Sequence, residues 1–105
     1  EAAGDAADAA DQRRLGSEMM GLHHKQQGQF AEAIAWYLKS LEIVHLQGGQ
    51  KSLEKLYHKQ IASCYQSLKQ YSEAAGSYER GAEAAEAAGD AADAADQRRL
   101  GSEMM

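Results

Sequence analysis

The chain has 105 residues, of which 44% are apolar and 26% charged, and it contains no proline. Its net charge of −5, with Lys and Arg scattered along the chain, argues against nucleic acid as a partner, because phosphate binding needs clustered basic residues. No apolar run approaches the roughly 20 residues that a membrane span needs, so no membrane contact is expected.

Helical segments separated by short breaks make up the predicted secondary structure. Breaks are expected at Gly4-Asp5, Gly48-Gly49 and Gly89-Asp90, because glycine supplies the left-handed conformation that ends many helices. Softer breaks fall at Gln27-Gly28-Gln29 and at Lys69-Gln70. Short loops place neighbouring helices antiparallel. Five helices are predicted in chain order, at about Asp5–Gln27, Phe30–Leu46, Ser52–Leu68, Ser72–Ala88 and Ala91–Met105.

Apolar residues recur every three or four positions in the second and third predicted helices. This spacing is typical of an amphipathic helix and not of a strand. The stripe of the second helix consists of Phe30, Ile34, Tyr37, Leu41 and Val44, and that of the third of Leu53, Tyr57, Ile61, Tyr65 and Leu68. The Ala-rich segment 81–95 is also compatible with disorder. We predict helix–turn–helix there, because Ala favours helix and lets two backbones approach closely.

An unaltered internal copy is the most informative feature of the sequence. Residues 1–20 recur without substitution as residues 86–105, an offset of 85 residues. Such a period suits two supersecondary units of about 40 residues each. Natural repeats diverge, so this identity suggests either recent amplification or a designed sequence. The chain also lacks an initiator Met, and we expect it to be an excised or designed piece of a longer array.

The segment Gly28–Leu41, which reads GQFAEAIAWYLKSL, resembles the centre of a tetratricopeptide repeat. That family places a small residue in the turn and then aromatic residues and Ala at fixed steps. In the first unit the matching residues are Met20-Gly21, Gly28, Phe30, Ala33, Tyr37 and Ser40-Leu41. In the second unit they are Ile61-Ala62, Tyr65, Tyr71, Ala74 and Tyr78. Because two units match in one register, the resemblance covers about residues 14–88.

The sequence departs from the family pattern at several positions. Ser17 stands in place of the opening Trp, His24 in place of an aromatic, Lys69 in place of the turn Gly, and Gly81-Ala82 in place of Ala-Leu. The terminal Pro is absent from both units. The resemblance implies an all-α fold, an α-solenoid of antiparallel helix–turn–helix repeats forming one domain. Unit one would span about 5–47, unit two about 51–88, and the copied helix about 90–105. The long spacing looks most like the subclass with repeats of about 40 residues.

The resemblance also implies a concave face, lined by the first helix of each pair, that binds an extended peptide or a helix of another protein. The candidate residues of this groove are Leu15, Glu18, Leu22, Lys25, Gln26, Leu56, Lys59, Ser63, Gln66 and Ser67. The three Leu would take apolar side chains, and Lys25 and Lys59 would meet a carboxylate. Alternatively, these residues form a solvated or partly packed face. The carboxylate clamp of chaperone-binding members is not expected, since Glu18, Leu22 and Ser63 occupy its positions.

The residue types of a catalytic or metal centre occur without the required spacing. His23 and His24 are consecutive, so they point about 100° apart on a helix and cannot easily share a metal. No Cys-x-x-Cys or His-Glu-x-x-His motif is present, and no strand precedes a Gly-rich loop. We expect no metal, no cofactor and no enzymatic activity. Cys64 is the only cysteine, which favours a buried core role and a reducing, cytoplasmic location.

Two functions remain compatible with the sequence. One is an adaptor that binds a peptide or helix of another protein in the concave groove. The other is a structural unit that stacks head-to-tail on copies of itself through its identical terminal helices. For the second function we expect Leu100, Met104 and Met105 of the copied helix to be unshielded and to meet a helix like the second one, which begins at Phe30.

Overall fold

The computed structural model describes the backbone of residues 2–104 and the side chains of residues 9–104. Within this part of the chain five helices follow one another, as predicted: α1 Ala2–Gln26, α2 Phe30–Leu46, α3 Lys51–Ser67, α4 Tyr71–Ala87 and α5 Ala91–Glu103. Each helix packs on the next one, which makes an all-α solenoid measuring 49 × 33 × 16 Å. None of the helices in residues 2–104 is both long enough and apolar enough to cross a membrane.

Four turns with the same geometry join the helices. In each turn the residue two positions after the helix end takes a positive φ, namely Gly28 (77°), Gly48 (102°), Lys69 (62°) and Gly89 (81°), and Gly49 (78°) does so as well. The residue after it donates its N–H to the carbonyl of the residue five positions earlier, as from Gln29 to His24 at 2.8 Å and from Gln70 to Tyr65 at 2.9 Å. This is the Schellman arrangement, which satisfies carbonyls at the end of a helix. The predicted breaks at residues 27–29, 48–49, 69–70 and 89–90 are therefore confirmed.

The predicted break at Gly4-Asp5 is wrong, because both residues lie inside α1. The same two residues form a turn in the second copy, at Gly89-Asp90. There the Asp90 side chain accepts a bond from the Asp93 N–H at 3.0 Å and pairs with Lys55 of α3 at 2.6 Å. Glycine inside a helix costs only about 1 kcal/mol relative to Ala, and the Ala-rich flanks of Gly4 favour helix. Tertiary contacts therefore decide whether this segment turns.

Large side chains from α2 and α3 form the main core. Its buried members are Ala33, Ile34, Tyr37, Leu41, Val44, Tyr57, Ile61 and Cys64, with Phe30, Leu53 and Tyr65 packed against them. Both predicted stripes therefore face the core, apart from Leu68, which is 37% exposed. Small residues lie where helices cross, and a Cβ added to Gly21 would stand 2.9 Å from the Tyr37 ring. Met20 and Tyr71, which also match the family pattern, lie outside the core, because they are 37% and 46% exposed.

Alanine forms the second, smaller core between α4 and α5. Ala82, Ala85 and Ala94 pack together there with almost no exposed surface. The Ala-rich segment is thus helix–turn–helix, as predicted from its close-packing side chains. Beside these alanines Gln97 is fully buried against Gly81, where a Cβ would overlap the Gln97 amide. The absence of a side chain at Gly81 is what lets the glutamine enter the interface.

Candidate functional site

A cleft opens between α1 and α3 on the face formed by the first helices of the two units. It encloses about 140 Å³ and is lined by Glu18, Met19, Leu22, Tyr37, Leu56, Tyr57 and Gln60. Three of its apolar side chains reach solvent: Met19 is 60% exposed, Leu22 40% and Leu56 38%. α1 packs mainly on α2, and α3 packs on α2 and α4, and these residues lie outside those contacts. The cleft can therefore take an apolar side chain.

A hydrogen-bonded triad forms the floor of the cleft. Arg14 donates to the Tyr57 hydroxyl at 2.8 Å, and that hydroxyl donates to the Glu18 carboxylate at 2.6 Å. Arg14 also lies 3.5 Å from Glu18. Burial, followed by the bond to Glu18, raises the pKa of Tyr57 to about 12, so the phenol stays neutral around pH 7. The triad joins α1 to α3 and holds Glu18 in one position.

The two lysines predicted to meet a ligand carboxylate have partners within the chain. The Lys25 ammonium donates to the Gln60 amide oxygen at 2.7 Å, across the same cleft. The Lys59 ammonium lies 3.6 Å from Asp93 and 3.9 Å from Asp96 on α5. Lys25 thus faces a neutral group, whereas the charge of Lys59 is already balanced. Of these two lysines, Lys25 is the one that can gain a negatively charged partner without giving up another.

The comparison with protein families agrees with this architecture. The sequence profile described as Tetratricopeptide repeat matches residues 15–96, which is well over half of the chain. The chain belongs to the tetratricopeptide repeat family. Neither curated proteins nor solved structures gave a significant match. Membership makes the chain a helical repeat of a kind that serves protein–protein interaction and is generally not catalytic.

The tetratricopeptide repeat structure brings only part of the predicted groove together. Glu18, Leu22 and Leu56 line the cleft, while Lys25 reaches its edge through Gln60. Lys59 points to α5, and the Gln66 amide oxygen accepts a bond from the Tyr78 hydroxyl at 3.2 Å. The other predicted groove residues, which do not line this cleft, are exposed Leu15, Gln26 and Ser67 and half-buried Ser63.

Four residues of the cleft were not among the predicted groove residues: Met19, Tyr37, Tyr57 and Gln60. Tyr37 and Tyr57 lie on the core stripes, and a core stripe does not indicate that a ring edge lines a cleft. Burial raises the pKa of Tyr37 to about 12 as well. Gln60 follows Lys59 directly and therefore lies on a different side of α3. Only the packing of α1 shows that this side lines the cleft. Helical periodicity alone does not show where two non-sequential helices meet.

The predicted self-association residues are less open than expected. Leu100 and Met104 are half-buried, and Phe30 packs against the chain's own core. Phe30 is therefore only partly exposed to solvent. Met105 lies outside the described residues.

The histidines and the cysteine form no cluster with metal-binding geometry. Within residues 9–104, no three His, Cys, Asp or Glu side chains are grouped so that they could hold a metal ion. Burial, then the nearby Arg80, lowers the pKa of His58 to about 4, so this ring is neutral around pH 7. Cys64 is fully buried, and burial raises the pKa of its thiol. A raised pKa and burial both lower thiol reactivity.

Proposed function

We propose that this domain is a non-catalytic adaptor that binds a short apolar segment of another protein in the α1–α3 cleft. The observation that carries the proposal is the exposure of Met19, Leu22 and Leu56 around one concavity. Single exposed apolar residues are common on protein surfaces, but exposed apolar residues grouped around a concavity are typical of binding sites. The cleft volume of about 140 Å³ suits one large apolar anchor.

The polar edge of the cleft favours an acidic group beside that anchor. Lys25 donates a hydrogen bond to the neutral amide of Gln60. If Lys25 turns to a ligand, the Gln60 amide oxygen can accept a hydrogen bond from water instead. A ligand carboxylate next to Lys25 would make a charge-assisted hydrogen bond, which is stronger than the bond to the amide. Glu18 stays bound to Tyr57 and Arg14 and excludes a second carboxylate from the floor. The expected ligand is therefore a peptide or helix with a large apolar residue and an Asp or Glu near it.

The test is an array of short random-sequence peptides probed with the labelled chain and with three variants. Peptides that combine an apolar residue with Asp or Glu should be retained by the wild type. Leu22→Glu and Leu56→Glu place a negative charge in the cleft and should each weaken binding at least tenfold. Leu46→Glu is the matched control, because Leu46 is 81% exposed on α2 and lies outside the cleft.

Two results would contradict the proposal. One is retention of no peptide by the wild type at any practical protein concentration. The other is equal binding by the Leu22→Glu and Leu46→Glu variants, which would place the interaction on another surface. Circular dichroism of each variant checks that the helices are intact.

A further inference from the structure

The two copies of the repeated sequence bury different faces. In α5 the buried residues are Ala94, Gln97 and Gly101, which face α4. Their counterparts in α1 are Ala9, Gln12 and Gly16, and all three are exposed. Conversely, Ser17 of α1 is 4% exposed, whereas its counterpart Ser102 in α5 lies in solvent. Each copy therefore leaves open the face that the other copy buries.

The face that is buried in α5 is closely fitted to α4. A Cβ added to Gly101 would stand 3.2 Å from the Tyr78 Cβ and 3.4 Å from the Ala75 carbonyl oxygen. A Cβ added to Gly16, the counterpart in α1, would meet nothing within 4 Å. The α1 helix thus carries a complete α4-binding face that its own chain does not use.

The face that is buried in α1 is fitted to α2 in the same way. Ser40 of α2 donates to the Arg14 carbonyl at 3.5 Å, and Gly21 lies against the Tyr37 ring. A helix with the repeated sequence can therefore pack on α2 with one side and on α4 of another copy with the other side. α3 already has this position within the chain, because it packs on both α2 and α4.

From this we propose that a second copy of the chain docks through its α1 onto α4, in the place of α5. The α1 helix keeps its own α2 and adds the α4 of the neighbouring copy on its open side. The contact is head-to-tail, so the neighbour's own α1 remains open for another copy, and the assembly grows unless a ring closes.

Charge complementarity supports this occupant. Lys55 pairs with Asp90 at 2.6 Å and with Asp93 at 3.5 Å, and Lys59 lies near Asp93 and Asp96. The α1 sequence carries Asp5, Asp8 and Asp11 at the corresponding positions. The sequence of α1 therefore repeats the acidic residues that α5 offers to these two lysines.

The length of α1 explains why it can displace α5. α1 has 25 residues and α5 has 13. The additional C-terminal residues of α1, Met19–Gln26, extend beyond the point where α5 ends. Because α5 runs antiparallel to α4, these residues would continue towards Tyr71, which is 46% exposed. The incoming helix covers apolar surface that α5 leaves in water, and this burial favours the exchange.

The experiment compares wild type with two leucine variants by light scattering behind a sizing column, over a wide range of concentration. Gly16→Leu adds a side chain that is harmless in the single chain but clashes with Tyr78 and Ala75 of a neighbour. Ser102→Leu also introduces a leucine, at a residue of α5 that is exposed in the single chain. It should not disturb the assembly, in which α5 is released from α4. The expected result is a molar mass that climbs with concentration for wild type and for Ser102→Leu, and the mass of one chain for Gly16→Leu.

Three outcomes would overturn the inference. The first is the mass of one chain for wild type at every concentration. The second is association of Gly16→Leu that equals wild type. The third is loss of association in Ser102→Leu, which would mean that α5 is the helix shared between copies. Gly16 does not line the peptide cleft, so the effect of Gly16→Leu on association can be measured separately from peptide binding.

Discussion

Lys69 is the residue whose backbone conformation fits its side chain least well. Its φ of 62° lies in the left-handed region, and the corresponding residues of the other three turns are glycines. The Schellman bonds from Lys69 to Gln66 and from Gln70 to Tyr65 form as in those turns. A residue with a Cβ is strained there by about 1 kcal/mol, so the second unit holds its turn against a local preference.

We expect Lys69→Gly to raise the free energy of unfolding by about 0.5–1 kcal/mol. The strain of the left-handed conformation disappears, and the greater entropy of unfolded glycine offsets part of the gain. Chemical denaturation measures the change. Ser67→Gly is the matched control, since Ser67 is an exposed residue in the last turn of α3, and glycine in a helix should lower stability. A loss of stability in Lys69→Gly would show that the side chain contributes more than the strain costs.

Among the helices, α4 shows how one missing side chain decides the packing of a neighbour. Gly81 and Gly76 lie on the same helix. Gly81 faces the fully buried Gln97 of α5, while a Cβ at Gly76 would have only the Arg80 guanidinium nearby, at 3.7 Å. The same residue type is therefore required by packing at one position and is only a weak point of the helix at the other.

Gly81→Ala and Gly76→Ala should change stability in opposite directions. At residue 81 the added methyl overlaps the Gln97 amide, which cannot swing aside because it is enclosed, and we expect a loss of about 1–3 kcal/mol. At residue 76 the methyl is accommodated, and better helix propensity should add about 0.5–1 kcal/mol. Thermal and chemical unfolding of both variants measure the difference. Equal effects would mean that Gln97 moves out of the α4–α5 interface without cost.

At the scale of the whole molecule, stability is distributed unevenly along the solenoid. Tyrosines and branched aliphatic residues fill the core of α2 and α3, whereas alanines form the α4–α5 core. α5 has α4 as its main neighbour and is also held to α3 through Lys55. The pKa of Lys55 is raised, first by its bond to Asp90, which is the sign of a favourable pairing. Because the α4–α5 core is small and the ion pair is accessible to solvent, we expect α5 to open more easily than α3.

We expect backbone amides of α5 to exchange with deuterium faster than those of α3 in the native state. Lys55→Ala removes the pairing with Asp90 and should accelerate exchange in α5 severalfold, without a matching change in α2. Lys39→Ala, which also removes one positive charge, lies on α2 over the Trp36 ring and should leave α5 unchanged. Exchange in α5 as slow as in α3 would contradict the expected order of opening.

Helix number, helix type and most turns could be predicted from the sequence because their causes are local. The stripe that includes Ile34, Tyr37 and Leu41 determines which side of α2 is buried, and Gly28, Gly48 and Gly89 mark three of the four turns. The candidate cleft was predicted only in part. Leu22 and Leu56 follow from the register of the repeat, but Gln60 and the Arg14–Tyr57–Glu18 triad depend on how α1 approaches α3.

The sequence by itself determined the all-α repeat architecture, because hydrophobic periodicity and turn glycines act within a few residues of each other. Only the tertiary structure decided what the identical copies do. Gly4-Asp5 continues a helix while Gly89-Asp90 turns, and Gly16 is open while Gly101 is enclosed. Identical residues have identical local preferences, so the difference arises from the helix against which each copy packs: α2 for α1, and α4 for α5.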